Sequence, residues 1–170
     1  SANTARLAVV GDNPMLLSGE YAAKVARANK ANSIAYQPAL EKIVNFDVNW
    51  NIVAWLGTAW AKLMFPGDGE EQAVAKLADA IFSASRVDGD NPIANWTAHN
   101  AALRQRTDWL NGQRFHALHF SGPGTALTVG LADGHEWVGG ASTAKNGIVC
   151  NPNIPTEEVF TTPHAHRVEG

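Results

Sequence analysis

Two adjacent carboxylates, Glu157 and Glu158, lie between prolines and a β-branched and aromatic run in the stretch Asn151-Pro-Asn-Ile-Pro155-Thr-Glu-Glu-Val-Phe160-Thr-Thr-Pro163. Ionised carboxylates are hard oxygen donors, so the chemistry open to such a pair is ligation of a divalent cation. Pro152 and Pro155 fix φ and stiffen the approach, whereas Val159, Phe160, Thr161 and Thr162 favour an extended strand. Neighbouring side chains of an extended segment point to opposite sides. One glutamate can then face a pocket while the other turns to solvent or to a supporting partner. The other adjacent pair, Glu70-Glu71, opens a helix and is explained by the positive end of the helix dipole.

The remaining candidates are weaker. His164-Ala165-His166 has the spacing that puts both imidazoles on one face of a strand, a geometry that can bind zinc, but beside the chain end it reads first as a surface pair. His116 and His119 fall on opposite faces of a mostly apolar strand and read as satisfied, partly buried histidines. His135 reads as an exposed turn residue. Asp12, in Gly11-Asp-Asn-Pro14, could carry a ligand at a strand end but reads as a turn aspartate. Asp88-Gly-Asp-Asn91 lacks the glycine and glutamate positions of an EF-hand and reads as a turn. Cys150 reads as a small buried residue, and Trp50, Trp55, Trp60 and Trp96 as core with a surplus for an interface. Neither a Gly-x-Gly-x-x-Gly word, nor a Walker loop, nor Gly-x-Ser-x-Gly occurs.

The elements that must position these groups follow from period and punctuation. Thr4 to Val10 reads as a buried strand stopped by the Gly11–Pro14 turn cluster. The Ala-rich stretch from Tyr21 to Ala31 has strong helix propensity, and its apolar pattern continues to Ile43 with a kink or break expected near Pro38. Asn49 to Trp55 is a second strand, so a βαβ unit with parallel pairing is expected. Thr58 is the predicted N-cap of a short helix from Ala59 to Phe65. The next helix, Glu70 to about Ser85, carries Ala73, Val74, Leu77, Ala78, Ile81 and Phe82 on one face. Asn91 and Pro92 open a helix striped by Ile93, Trp96, Leu103 and Leu110 and ended by Gly112. Beyond it the period turns extended, with strands at 114–120, 126–131, 136–138, 147–150 and 158–162 joined by Gly-rich turns. The fold class is therefore α/β: a mixed sheet with flanking helices, a βαβ-type first half and antiparallel hairpins in the second half, as a single domain over residues 1–170.

A chain of 170 residues, 45% hydrophobic and 17% charged, is long enough for one domain with a sizeable core. A net charge of -3 and a pI near 6.0 supply no basic face, which argues against nucleic acid or an anionic membrane as partner. One cysteine forms no internal disulfide, fitting a reducing compartment such as the cytoplasm. No apolar run approaches the roughly 18 to 20 residues of a membrane span. Ser1-Ala2-Asn3 without an initiator methionine and the abrupt Gly170 read as excision from a longer chain.

The run Asn153-Ile-Pro-Thr-Glu-Glu-Val-Phe160, continued by Thr162-Pro163-His164 and Arg167-Val-Glu-Gly170, resembles the metallo-aminopeptidases of peptidase family M29, the aminopeptidase T, S and II group. Val25-Ala-Arg-Ala-Asn29, Arg86-Val-Asp88, Asp108-Trp-Leu-Asn111, Gly122-Pro-Gly-Thr125 and Gly134-His-Glu-Trp-Val-Gly-Gly140 look like that family too, and the resemblance runs from about Ala5 to the last residue. It implies a dinuclear exopeptidase that removes N-terminal residues from peptides with two divalent ions (Zn, Co or Mg). Glu158 is then the first choice and Glu157 the second as a metal ligand from this stretch. It also implies that the other ligands and the general base lie in a C-terminal half, that the chain is an N-terminal-domain fragment ending just after its first metal-ligand motif, inactive by itself, and that the parent is a homodimer; the cytoplasm is the location expected from composition. The competing expectation is a non-enzymatic scaffold or dimerisation module that encloses a partner's groove; a small-molecule site at the Gly11–Asn13 loop is a third.

Overall fold

The computed structural model describes residues 4–169. Ser1 to Asn3 and Gly170, read above as marks of excision, lie outside them. The chain divides into two compact units, one of Ser1–Pro92 with Ala141–Pro155, the other of Ile93–Gly140 with Thr156–Gly170. Together they hold helices, parallel strands and antiparallel strand pairs, the mixed α/β class expected.

The first unit is the expected βαβ arrangement. Strand β1 (Ala5–Val10) leads into helix α1 (Ala22–Val44) and strand β2 (Asn49–Ala54), and β1 pairs with β2 in parallel from Ala5↔Asn49 to Val10↔Ala54. Helices α2 (Thr58–Met64) and α3 (Glu70–Ala84) follow. Their packing buries Ala61, Ala73 and Leu77, with Leu56, Trp60, Phe65, Val74 and Ile81 around them. That is the α3 stripe read from period, except that Phe82 stays exposed.

Some local expectations are not met: β1, read as buried, leaves Leu7, Val9 and Val10 exposed, and helix α1 is not broken at Pro38. The proline removes the bond to the Ile34 carbonyl, but Ile34 is exposed and water can take that oxygen. Thr58 is the first helical residue of α2 and not its cap, which is Gly57. A Cβ on Gly57 would strike the Gly11 carbonyl oxygen, and one on Gly11 would strike that of Trp55. The turns leaving β1 and β2 thus cross backbone to backbone, and the helix starts at the next residue. Trp55, expected in the core, is half exposed.

The second unit begins with α4 (Pro92–Gln113), then β3 (Ala117–Gly122) and β4 (Thr125–Leu131), an antiparallel hairpin with register Ala117↔Gly130 to Gly122↔Thr125. In the first unit β5 (Ser142–Thr143) pairs antiparallel with β6 (Val149–Cys150), and β7 (Asn153–Ile154) adds to β2 in parallel. Strand β8 (Pro163–Glu169) closes the β3-β4-β8 sheet of the second unit. Within α4, Leu103 is fully buried and Trp96 and Leu110 half-buried, but Ile93 is 81% exposed. Nor does Gly112 end α4. Helical geometry continues to Gln113, and Arg114 takes the left-handed conformation at φ 52° that glycine usually supplies just past a helix end. Phe46 (φ 55°) and Arg86 (φ 57°) do the same after α1 and α3.

Because Gly112 is helical and a Cβ added there would meet nothing within 4 Å, Gly112→Ala is expected to raise stability by roughly 0.5–1 kcal/mol in denaturant unfolding. A loss of stability would mean that Gly112 is the left-handed terminator after all.

Candidate active-site turn

Glu157 and Glu158 lie in a segment, Thr156 to Val159, without regular secondary structure. The strand expected over 158–162 is reduced to a single antiparallel bridge, Val138↔Phe160, and the strand expected over 136–138 to its other side. The reason is local competition for peptide groups. The Asn111 side chain donates from Nδ2 to the Trp137 carbonyl (3.0 Å) and accepts the Trp137 N–H at Oδ1 (2.8 Å). Those groups of Trp137 face away from Phe160 in the antiparallel pairing; the next bonded pair would be Glu136 with Thr162, and both carbonyls are already engaged, that of Glu136 by the Thr161 hydroxyl and that of Thr162 by the Ala132 N–H. At the next step Gly140 turns the chain at φ 72°, against Asn100 and Leu103 of α4.

The backbone of this acidic segment is nevertheless held at both ends, within one unit. Upstream, the Thr156 carbonyl accepts a hydrogen bond from Nε2–H of His99 at 2.6 Å, and Thr156 itself is buried. Downstream, Phe160 and Val138 exchange two backbone bonds of 2.9 Å each, and the Thr161 hydroxyl donates to the Glu136 carbonyl at 2.7 Å. In the middle, Gly139 lies so close that a Cβ there would sit 2.8 Å from the Glu158 carbonyl oxygen and 3.1 Å from Val159 Cγ1. Only glycine lets the two backbones approach like this.

On this fixed backbone both glutamates are exposed. Glu158 Oε2 accepts the N–H of Glu157 at 3.0 Å, which turns the Glu158 carboxylate back over its own turn. The residues present fit a divalent cation as oxygen donors of the right hardness. Among the described residues no group of three or more His, Cys, Asp or Glu side chains could hold a metal ion. The turn thus offers part of a coordination sphere, and tight binding requires further ligands.

The other candidates do not converge on it. His164 and His166 share β8 with ring centroids 6.2 Å apart, but His164 Nδ1 accepts the His166 N–H at 3.2 Å. A neutral His164 ring then carries its proton on Nε2 and has no lone pair to spare, so chelation by this pair would first have to break that bond. His116 and His119 are exposed, not partly buried, because β3 begins only at Ala117 and is an edge strand; His119 Nδ1 meets Thr128 Oγ1 at 2.9 Å. His135 is half-buried, its Nδ1 bonded to the Ala132 carbonyl at 2.8 Å. With His116, Arg114, Asp133 and Glu136 it lines a cavity of about 680 Å³. Asp12 is exposed, and Asn13 Oδ1 accepts the Met15 N–H at 2.9 Å, which makes that loop a side-chain-stabilised turn. Cys150 is a half-buried free thiol. Two residues that shape the turn, His99 and Asn111, carry no local signal, since their partners are 57 and 26 residues away.

Residues 1–170 match the family described as thermophilic metalloprotease (M29), and the chain belongs to that family. It is 58% identical over 166 residues to aminopeptidase T of Thermus thermophilus, covering 98% of this chain and 41% of that protein. It is 40% identical over 164 residues to aminopeptidase 2 of Geobacillus stearothermophilus, covering 96% and 40%. The solved structure of wild-type AmpT from Thermus thermophilus superposes with a TM-score of 0.90 at 56% identity, over 98% of this chain and 40% of that one. The chain thus spans about two fifths of the length of the curated relatives it matches.

Asn111→Ala leaves the Trp137 N–H and C=O without these partners, and Trp137 is buried. An expected cost of about 1–3 kcal/mol is measurable by denaturant unfolding; an unchanged midpoint would show that water replaces the amide fully.

Proposed function

We propose that this chain is the part of a metal-dependent aminopeptidase that contributes a glutamate to its metal centre. Glu158 is the first choice of ligand, and Glu157 orients it or takes its place. The observation that carries the reading is a pair of exposed carboxylates on a backbone tied down on both sides, in a chain of the M29 family. A donor whose backbone is already fixed loses little conformational freedom when it ligates.

Divalent ions at such a centre supply Lewis acidity toward the scissile carbonyl and toward water. This chain's own contribution is to hold carboxylate oxygen at a fixed place and to leave the face of the turn open. The remaining ligands and the general base come from polypeptide beyond these residues. Peptides with a free N-terminus are the substrates, the centre holds two ions (Zn, Co or Mg), and the full-length protein is a cytoplasmic homodimer. Among the described residues no helix is long and apolar enough to cross a membrane. Residues 1–170 alone, one N-terminal domain by this reading, are inactive because the ligand set is incomplete.

In the full-length protein Glu158→Gln is expected to lower chelator-sensitive release of leucine from a leucyl substrate on the order of 100-fold, and Glu157→Gln by less. Full activity in both variants, or chelator-sensitive release by residues 1–170 alone, would overturn the proposal.

A further inference from the structure

We propose that His99 is a positioning residue for the metal-ligating turn, acting on the Glu158 carboxylate through the peptide between Thr156 and Glu157. The inference rests on Glu158 being a ligand and adds to that reading the group that aims it.

One peptide unit carries the connection. Its carbonyl, that of Thr156, accepts Nε2–H of His99 at 2.6 Å, and its N–H, that of Glu157, donates to Glu158 Oε2 at 3.0 Å. Both polar groups of a single planar amide are therefore fixed from opposite sides, which sets the rotation of the plane and with it the direction from which the carboxylate is held. A hydrogen bond accepted by a carbonyl polarises its amide and strengthens the N–H as donor, so the two bonds support each other. Glu158 is thereby kept turned back over the turn without any bond from His99 to the carboxylate itself.

His99 is equipped for this task. It stands on α4, where the Trp96 ring one turn earlier packs edge-on against the imidazole at 5.6 Å and 83°. Only Nε2–H can serve a carbonyl, so the tautomer is set by the contact. Gly139 packs against the same segment, its backbone too close to Glu158 and Val159 for any side chain. The imidazole thus holds the Thr156 carbonyl, and the glycine backbone abuts the two residues that follow Glu157.

The test uses the full-length protein stripped of metal, with Co²⁺ alone as the probe, followed by its absorption on titration. His99→Ala is expected to weaken Co²⁺ binding about tenfold and to lower kcat more than it raises KM. His99→Gln, whose amide can reach the same carbonyl, restores affinity close to the wild type. If His99→Ala lowers the melting temperature but leaves Co²⁺ affinity unchanged, His99 is merely structural and the proposal fails. Should His99→Ala not fold, His99→Gln is compared with His99→Asn, whose shorter side chain falls short of the carbonyl; equal affinity in those two overturns the proposal. Glu158→Gln runs alongside: wild-type Co²⁺ affinity there would sink the ligand assignment itself, whereas a loss there with none in the His99 variants sinks only the positioning role.

Discussion

The second unit depends on α4 giving polar side chains to backbone groups that no strand pairs. His99 and Asn111 are twelve residues apart on that helix, about 18 Å along its axis. The first holds the Thr156 carbonyl and the second both peptide groups of Trp137. Val138 follows Trp137 directly and pairs with Phe160, so both ends of the acidic turn trace back to the same rigid helix. A buried peptide group without a partner costs about as much as a lost hydrogen bond, and here side chains meet that demand where a ladder would otherwise do so.

This arrangement bears on the ligand role proposed for Glu158. In a regular strand Glu157 and Glu158 would point to opposite faces, and their peptide groups would belong to neighbouring strands. In the irregular segment both side chains are exposed and the Glu158 carboxylate accepts the Glu157 N–H. Ordering such a segment costs roughly 1–2 kcal/mol per residue, and the cost is offset in the folded unit by the His99 contact, the Val138–Phe160 bridge and the close fit against Gly139.

The first unit has a different character. Its core is the α2–α3 packing, while the edge strand β1 leaves Leu7 and Val9 exposed and α1 buries only Ile43. Parallel sheets are ordinarily covered on both faces, so apolar periodicity there reports faces suited to burial that the described residues leave uncovered. Period therefore identifies α1 and β1 as elements but overstates their burial, and the same holds for Trp55 and Ile93.

What the residues determined by themselves was whatever depends on near neighbours. The βαβ order, the α3 stripe, the start of α4 at Pro92 and the Pro123-Gly124 hairpin all rest on φ restrictions and on periods of two or 3.6 residues, which act within a few positions. The Glu157-Glu158 word and its family resemblance were legible in the same way. Only the folded chain decided that α4 runs past Gly112, that Glu136 to Val138 and Glu158 to Thr162 are not strands, and that His99 and Asn111 matter. For His99 and Asn111 the outcome turns on which side chain reaches a particular peptide group, across 57 and 26 residues. Tertiary packing sets that competition, and no local pattern records it.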